Sequence, residues 1–280
     1  APRLNAAGRI GSAKEAFDLL VADNRSDANT ISSRLDELSK KRRILEEEVL
    51  EAAREMIESQ DLTGNRVLLV AGDGWHKGVL GIVASRLVDL TGMPAYVIGF
   101  EGEMGSGSAR SAGQINLHES LVFASNHLER YGGHKDAAGF SLSKNKLEDV
   151  RKTLEEYAEA KWIDAEPKKV VCDYALFPGE ITPGFLRELG DLGPFGTLNE
   201  EPIFDVDGLY VLDKRVVGGD HLKLQLKTPS GSIGAFGPRM GEAIDQIPPL
   251  VRVAANITAD EWRGDGTPEL RLAALPVPGN

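Results

Sequence analysis

The chain has 280 residues, 41% of them hydrophobic and 27% charged, with a formal net charge of −11. This length allows two or three domains, and the net charge argues against a protein that coats nucleic acid non-specifically, although a local basic groove remains compatible with it. The single cysteine, Cys172, excludes a disulfide framework and a cysteine-rich zinc site and fits a reducing cytoplasm. No apolar run reaches the roughly 18 residues of a membrane helix. The first residue is Ala1, which fits either removal of Met or a start within a longer protein.

The first part of the chain is predicted to be helical. Residues 1–26 combine a glycine-containing segment with a short helical pattern, and residues 27–60 are predicted to form one long helix. Charge runs separate its apolar residues, as on a solvated helix face, and a helix of this kind often connects two domains. The apolar positions at helical spacing are Ile31, Leu35, Leu38, Ile44 or Leu45, Val49, Ala52 and Met56.

Strands and helices then alternate over residues 64–162, which predicts an α/β domain. Buried strands are expected at RVLLVAG and PAYVIGF, and helices at GVLGIVASRLVDLTG, with a stop at Gly92, and at KLEDVRKTLEEYAEAKW. The segment MGSGSARSA (104–112) is predicted to be rich in turns. The segment LHESLVFASNHLERYGG is predicted to end a helix at Gly132 and Gly133.

A polar linker, DAEPKK (164–169), separates this domain from a region of short strands and turns. The alternation in HLKLQLK is typical of a half-exposed strand, and many short strands with Gly/Pro turns predict a small β-barrel of the OB type. From residue 167 onward, 11 Lys and Arg oppose 16 Asp and Glu. Such a barrel is a poor general binder of polyanions, so DNA would have to bind a narrow strip such as Lys214, Arg215, Lys223 and Lys227, or the barrel would bind a protein.

Three glycine-rich segments carry the candidate chemistry. GDGWHKGVLG (72–81) leads into a helix, so its backbone N–H groups could face an anion, or it is a tight turn with a packed Trp75. GSGSARSAG (105–113) surrounds Arg110 with Ser106, Ser108 and Ser111. These groups suit a terminal phosphate, and the alternative is a flexible surface loop.

The third segment is YGGHKDAAGF (131–140), in which two glycines precede His134. A histidine at a predicted helix exit can donate to a phosphate oxygen, or it can cap a surface turn. The small residues behind it allow a close approach of backbone or ligand. The sequence lacks HExxH, GxSxG and an Asp/His cluster at metal-ligand spacing.

Five ordered motifs resemble the RecJ-type single-strand-specific exonucleases of the DHH phosphoesterase superfamily. They span almost the whole chain and read RLNAAGRI (3–10), GWHKGVLGIVASRL (74–87), GSARS (107–111), GGHKDAAGF (132–140) and LGPFGTLNEEPIF (192–204). The last departs from the family's usual Gly-Asn-Pro-Glu-Pro, because LNEEP stands there.

The resemblance implies an α/β plus β fold: a long connecting helix, an α/β DHH-associated domain with a mixed sheet, and an OB-type β-barrel. The implied domains are residues 1–62 (linker motif and helix), 63–163 (DHH-associated) and 167–280 (OB-type). In this family a DHH domain carries the metal-binding residues for Mn²⁺ or Mg²⁺. This chain is expected to start after that domain and to bind no metal alone.

The resemblance also implies roles for individual residues. His134 would be catalytic and donate to the scissile phosphate, while Ser108 and Arg110 would bind a 5′-terminal phosphate. Gly132 and Gly133 would let the DNA backbone pass closely. His76, Arg9 and Asn5 match positions that would contact or support the site, and His76 would alternatively only shape its turn.

The implied function is that of the substrate-binding part of a 5′-to-3′ exonuclease in DNA repair and recombination, inactive as an isolated chain. Its expected partners are single-stranded DNA with a 5′ phosphate, the DHH domain in cis, and a helicase or single-strand-binding protein. Its expected location is the cytoplasm, without membrane contact. Two alternatives remain open: a non-catalytic nucleic-acid or protein-binding module, and a DHH phosphoesterase that acts on short oligonucleotides.

Overall fold

A computed structural model of the chain describes residues 2–60, 62–164, 169–229, 231–260 and 264–279. It divides into two compact units, Ala1–Glu166 and Pro167–Asn280. Most of the predicted linker (164–169) lies outside the described residues. The three domain ranges expected from the sequence stay a prediction.

The first unit is a five-stranded mixed sheet with helices on both faces, as the sequence predicts. The sheet order is β1-β2-β3-β5-β4, with β1 and β2 parallel and the other neighbours antiparallel. The strands are β1 (Leu68–Asp73), β2 (Ala95–Glu101), β3 (Met104–Arg110), β4 (Arg130–Gly133) and β5 (Ala137–Ser143). The helices are α1 (Pro2–Ile10), α2 (Ala13–Leu20), α3 (Arg25–Ser59), α4 (Lys77–Thr91), α5 (Leu117–Phe123) and α6 (Leu147–Lys161).

Alternation along the strands divides the core between the two faces of the sheet. In β2, Ala95 and Val97 pack in the cluster with α3 and α4, while Tyr96 and Ile98 pack in the cluster with α5 and α6. Helix α4 ends as predicted at Gly92, which has a left-handed φ of 71° and donates its N–H to Val88. One side of the sheet is therefore covered by the helix that follows β1.

The predicted long helix is confirmed as α3, and its predicted positions Leu35 and Val49 are buried, but the end of its buried stripe differs from the prediction. Val49, Ala53 and Ile57, at i, i+4 and i+8, are buried against β1 and α4, whereas Ala52 and Met56 are only partly buried. Contact with β1 and α4 therefore buries positions 53 and 57 of the helix in place of positions 52 and 56. The buried Glu46 pairs with Arg42 at 2.6 Å and with Arg86 of α4 at 3.1 Å, which fastens the two helices together.

The prediction of a turn-rich segment at 104–112 is wrong, because residues 104–110 form strand β3 in the middle of the sheet. Its glycines leave space for aromatic rings of the neighbouring strands. A Cβ on Gly107 would lie 2.3 Å from the ring of Phe140, and one on Gly105 would lie 2.6 Å from that of Phe100. Larger side chains on adjacent strands thus fill the positions that the glycines leave empty.

The predicted helix end at Gly132 and Gly133 is also wrong. Helix α5 ends at Phe123, and the two glycines belong to edge strand β4, where they pair with Gly139 and Ala138. His134 consequently follows a strand at the tip of the β4–β5 hairpin and not a helix. Pairing with β5 overrides the helix-stop signal of the double glycine.

The second unit is a closed β-barrel, as predicted. Neighbouring strands run β7-β8-β9-β11-β10, and β10 pairs back to β7, which closes five strands into the barrel of an OB fold. The strands are β6 (Tyr174–Ala175), β7 (Phe204–Val217), β8 (His221–Thr228), β9 (Gly231–Gly237), β10 (Leu250–Ala259), β11 (Pro268–Leu272) and β12 (Val277–Pro278).

The sequence reading missed one helix of this unit, α7 (Pro183–Asp191). It carries start signals that could have revealed it: Thr182 caps it by accepting the N–H of Phe185 at 3.1 Å, and Pro183 occupies its first position. The LNEEP segment follows α7. Leu198, the first residue of that segment, has a left-handed φ of 68° and is 99% exposed.

Candidate anion-binding site

Ser108 and Arg110 lie two residues apart on β3 and therefore point to the same face of the sheet. It is the face covered by α4, because both approach Gly81 of that helix. A Cβ built on Gly81 would lie 2.9 Å from Arg110 Nη2 and 3.6 Å from Ser108 Oγ. A hydroxyl and a guanidinium thus meet at one point beside the first turns of α4.

The Arg110 guanidinium is half-buried and has no carboxylate partner among the described residues. Its Nη1 donates to the carbonyl oxygen of Ala109 at 2.7 Å. Burial lowers the pKa of Arg110, and repulsion from Arg9 lowers it further. An arginine stays charged nevertheless, so this positive charge is desolvated without an ionic partner. Such a group favours a bound anion.

Arg9 lies in the last turn of α1, next to the start of α4. Its Nη1 is 3.5 Å from the carbonyl oxygen of Gly78, and its own carbonyl group packs against Gly78. Asn5 lies one turn earlier on α1 and, like Arg9, is exposed. The structure therefore brings Arg9 close to Arg110, whereas Asn5 is connected to the site only through the helix.

His76 caps the start of α4, since its Nδ1 accepts the N–H of Gly78 at 3.1 Å. The preceding Trp75 packs over two glycines, because a Cβ on Gly72 would lie 2.2 Å from its ring and one on Gly99 would lie 2.1 Å from its carbonyl oxygen. The loop is thus a tight strand–helix turn with a packed tryptophan, one of the two interpretations that the sequence allows. His76 shapes that turn through Nδ1.

Beyond Ser108, the same face of the sheet is almost bare. Ser108 pairs with Gly139 of β5, and Gly139 pairs with Gly132 of β4. A Cβ on Gly132 would meet nothing within 4 Å, and one on Gly139 would have only the carbonyl oxygen of Gly107 at 3.7 Å. The row Ser108–Gly139–Gly132 is therefore an open strip of backbone that another chain could approach closely.

His134 is exposed at the tip of the β4–β5 hairpin. Its backbone N–H donates to the carbonyl oxygen of Ala137 at 2.8 Å, and Ala137 is the partner of Arg110 across the sheet. The tip is also joined to the end of β3, since Ser111 N donates to Asp136 O at 3.3 Å. His134, Arg110 and Ser108 thus belong to the same end of the sheet.

Sequence analysis included Gly78 and Gly81 in a candidate loop and Gly139 in a stretch that allows close approach, but it assigned none of the three an individual role. The signal was present, because Gly78 and Gly81 interrupt an otherwise apolar helix one turn apart. Gly139 is likewise exposed in the middle of a strand.

The described residues do not form a metal site, because none of their His, Cys, Asp and Glu side chains come together in a group of three or more that could hold an ion. The residues described above offer hydrogen-bond donors and positive charge.

Two of the four cations in the basic strip expected on the barrel pair with carboxylates, and a third donates to backbone carbonyl groups. Lys214 Nζ donates to the carbonyl oxygen of Ile244 at 2.9 Å, Arg215 pairs with Asp213 at 3.4 Å, and Lys223 pairs with Glu269. Lys227 is exposed. These contacts weaken the case for the strip as a DNA-binding surface. Within the part of the chain that the structure describes, no helix has both the length and the apolar character needed to cross a bilayer.

Two domain families match the chain: the DHHA1 domain over residues 64–160 and the RecJ OB domain over residues 172–274. The single-stranded-DNA-specific exonuclease RecJ of Bacillus subtilis is 35% identical over 99% of this chain and 36% of its own length. That of Thermus thermophilus is 33% identical over 99% of this chain and 39% of its own length. The chain thus spans well under half the length of these relatives.

The same relationship is visible in structure. The crystal structure of Thermus thermophilus RecJ in complex with Mn²⁺ matches all of this chain and 41% of that chain, with a TM-score of 0.77 and 32% identity. A second structure of that protein, in complex with Mg²⁺, gives a TM-score of 0.75. With a DHHA1 domain followed by a RecJ OB domain, and with relatives 33–35% identical over 99% of its length, the chain belongs to the RecJ family of single-strand-specific exonucleases and corresponds to the C-terminal portion of its members.

Proposed function

We propose that this chain is the substrate-gripping portion of a metal-dependent 5′-to-3′ exonuclease acting on single-stranded DNA. In this proposal, Arg110 and Ser108 bind the 5′-terminal phosphate, with Arg9 adding positive charge. The observation that carries the proposal is the half-buried Arg110, which has no carboxylate partner among the described residues and lies beside a serine hydroxyl. A desolvated guanidinium with a hydroxyl next to it suits a phosphate.

The open strip Ser108–Gly139–Gly132 supports a strand-shaped substrate. Without side chains on Gly132 and Gly139, a sugar–phosphate backbone can lie against the sheet and remain within reach of Arg110. A pocket for one end combined with a track for the following nucleotides accounts for digestion that starts at an end. Only Arg110 and Arg9 supply positive charge in this proposal, so it is compatible with a chain whose net charge is −11.

His134 is proposed to donate a hydrogen bond to the scissile phosphate or an adjacent phosphate, which stabilises the developing negative charge. Its exposure at the hairpin tip, next to the end of β3, supports this role. Mn²⁺ or Mg²⁺, with which Thermus thermophilus RecJ has been crystallised, would be held by a DHH domain in cis and not by the described residues of this chain. A helicase or single-strand-binding protein stays a prediction as a further partner.

The test compares affinities for 5′-phosphorylated and 5′-hydroxyl oligothymidylate, measured by fluorescence anisotropy with the whole chain. Arg110→Ala is expected to weaken binding of the phosphorylated strand roughly 10- to 100-fold, which corresponds to one charge-assisted hydrogen bond, and to affect the hydroxyl strand much less. Arg54→Ala, which removes an exposed arginine of α3, is the charge-matched control. Equal losses for both strands with Arg110→Ala would contradict the assignment.

The alternative of a non-catalytic binding module makes a different prediction. A chain of that kind would gain no nuclease activity when it is joined to the remaining portion of a RecJ relative in the presence of Mn²⁺. A phosphoesterase for short oligonucleotides would instead prefer a dinucleotide to a long single strand. The barrel and the open strip favour the long strand.

A further inference from the structure

Helix α4 has glycines at positions 78 and 81, one turn apart, so both face the same side of the helix. Gly78 is the second residue of the helix, whereas Gly81 lies further inside, where glycine is destabilising relative to alanine because it loses more conformational freedom on folding. Neither residue has a left-handed φ that would call for glycine. The reason for their presence must therefore lie in what approaches this side of the helix.

Two arginines approach it. The Arg110 guanidinium lies over Gly81, where an added Cβ would be 2.9 Å from Nη2. The main chain of Arg9 lies against Gly78, where an added Cβ would be 2.0 Å from the carbonyl oxygen. Any side chain at position 78 would push away the last turn of α1, and any side chain at position 81 would push away the guanidinium.

The side chains of the two arginines also end near the start of α4, since Arg9 Nη1 lies 3.5 Å from the carbonyl oxygen of Gly78 and Arg110 Nη2 lies beside Gly81. Both side chains are positively charged: burial lowers the pKa of Arg110, and repulsion from Arg9 lowers it further. Packing alone gives no reason to hold two cations close to one another. A ligand with concentrated negative charge does, because it attracts both.

We propose that Gly78 and Gly81 are positioning residues of the anion site, and that Gly81 in particular fixes the guanidinium of Arg110 for a terminal phosphate. This inference rests on the proposed function, because it assumes that Arg110 binds the 5′ phosphate. It adds that Gly81, which itself offers no group to the ligand, determines how well Arg110 discriminates between 5′-phosphate and 5′-hydroxyl ends.

Gly81→Ala separates a positioning role from a purely structural one. Alanine improves the helix propensity of α4, so the melting temperature should not fall. The affinity for 5′-phosphorylated oligothymidylate should fall roughly tenfold, as expected for one misplaced charge-assisted hydrogen bond, while the affinity for the 5′-hydroxyl strand stays the same. Gly190→Ala, a helical glycine of α7 with nothing within 4 Å of an added Cβ, is the matched control for the exchange itself.

A double mutant completes the test. Once Arg110 is alanine, the nearest atom to a Cβ at position 81 is Ser108 Oγ at 3.6 Å, an ordinary contact. Gly81→Ala should then have no further effect on the affinity ratio of the two strands. Three results would overturn the inference. Gly81→Ala could lower the affinity ratio of the two strands equally with arginine and with alanine at position 110, or it could leave the ratio unchanged in the single mutant. The third is a lower ratio in Gly190→Ala. If Arg110→Ala leaves the ratio unchanged, the proposed function fails, and this result is distinct from a failure of Gly81 alone.

Discussion

Gly133 is the residue of the β4–β5 hairpin that the backbone constrains most strongly. Its φ is 139°, a conformation that residues with a side chain rarely adopt. A Cβ there would lie 2.5 Å from both the carbonyl oxygen of Ala137 and the Cα of Ala138. The backbone conformation alone costs about 1–3 kcal/mol for alanine, and overpacking costs a similar amount. We therefore expect Gly133→Ala to lower the free energy of unfolding of the first unit by about 3 kcal/mol or more.

Gly132 provides the matched control, because it lies next to Gly133 and a Cβ on it meets nothing within 4 Å. Gly132→Ala should leave the free energy of unfolding within about 0.5 kcal/mol of the wild type. Urea unfolding followed by circular dichroism measures the global effect, and hydrogen exchange of the amides in residues 130–143 measures the local one. Equal stability of the two variants would refute the argument that the hairpin requires glycine at 133.

Three further predictions concern catalysis and stability. Joined to the remaining portion of a RecJ relative, His134→Ala should lower kcat by about 10²-fold with little change in KM, and an unchanged kcat in single-strand digestion would reduce His134 to a turn residue. Glu46→Ala should destabilise the first unit by about 3 kcal/mol in urea unfolding, because it leaves the guanidiniums of Arg42 and Arg86 without their carboxylate. A loss of stability below about 1 kcal/mol would mean that this ion pair does not hold α3 against α4. Leu198→Gly should stabilise the second unit by about 1 kcal/mol in thermal unfolding, since it relieves a left-handed leucine that is 99% exposed, and a loss of stability would show that the leucine makes a contact that compensates for its backbone.

Periodic elements were predictable from the sequence, and strands built from small residues were not. Helices α3, α4 and α6 have apolar residues at helical spacing, β1 and β2 are short continuous apolar runs, and Gly92 signals the end of α4. Strand β3 has a sequence of Gly, Ser and Ala that is typical of a turn. It pairs with β2 and β5 along its whole length, and Phe100 and Phe140 of these strands occupy the space above its glycines, long-range effects that local propensity does not contain.

The residues of the candidate site that belong to recognisable sequence motifs could be predicted from the sequence. The residues that the motifs named, Ser108, Arg110 and His134, belong to one end of the sheet, and Arg9 approaches from α1. The sequence could not reveal what positions them. Gly81 makes its contribution by lacking a side chain, and this becomes visible only when the distance to Arg110 is known.

The most direct test of the central claim is binding of a 5′-phosphorylated single strand by the wild-type chain, with Mn²⁺ present, at low and at high salt. The account predicts binding that weakens with salt, that is tighter for the 5′-phosphate than for the 5′-hydroxyl strand, and that proceeds without cleavage. Equal affinity for the two ends would contradict the phosphate site at Arg110, and cleavage would contradict the assignment of the metal to a domain outside this chain.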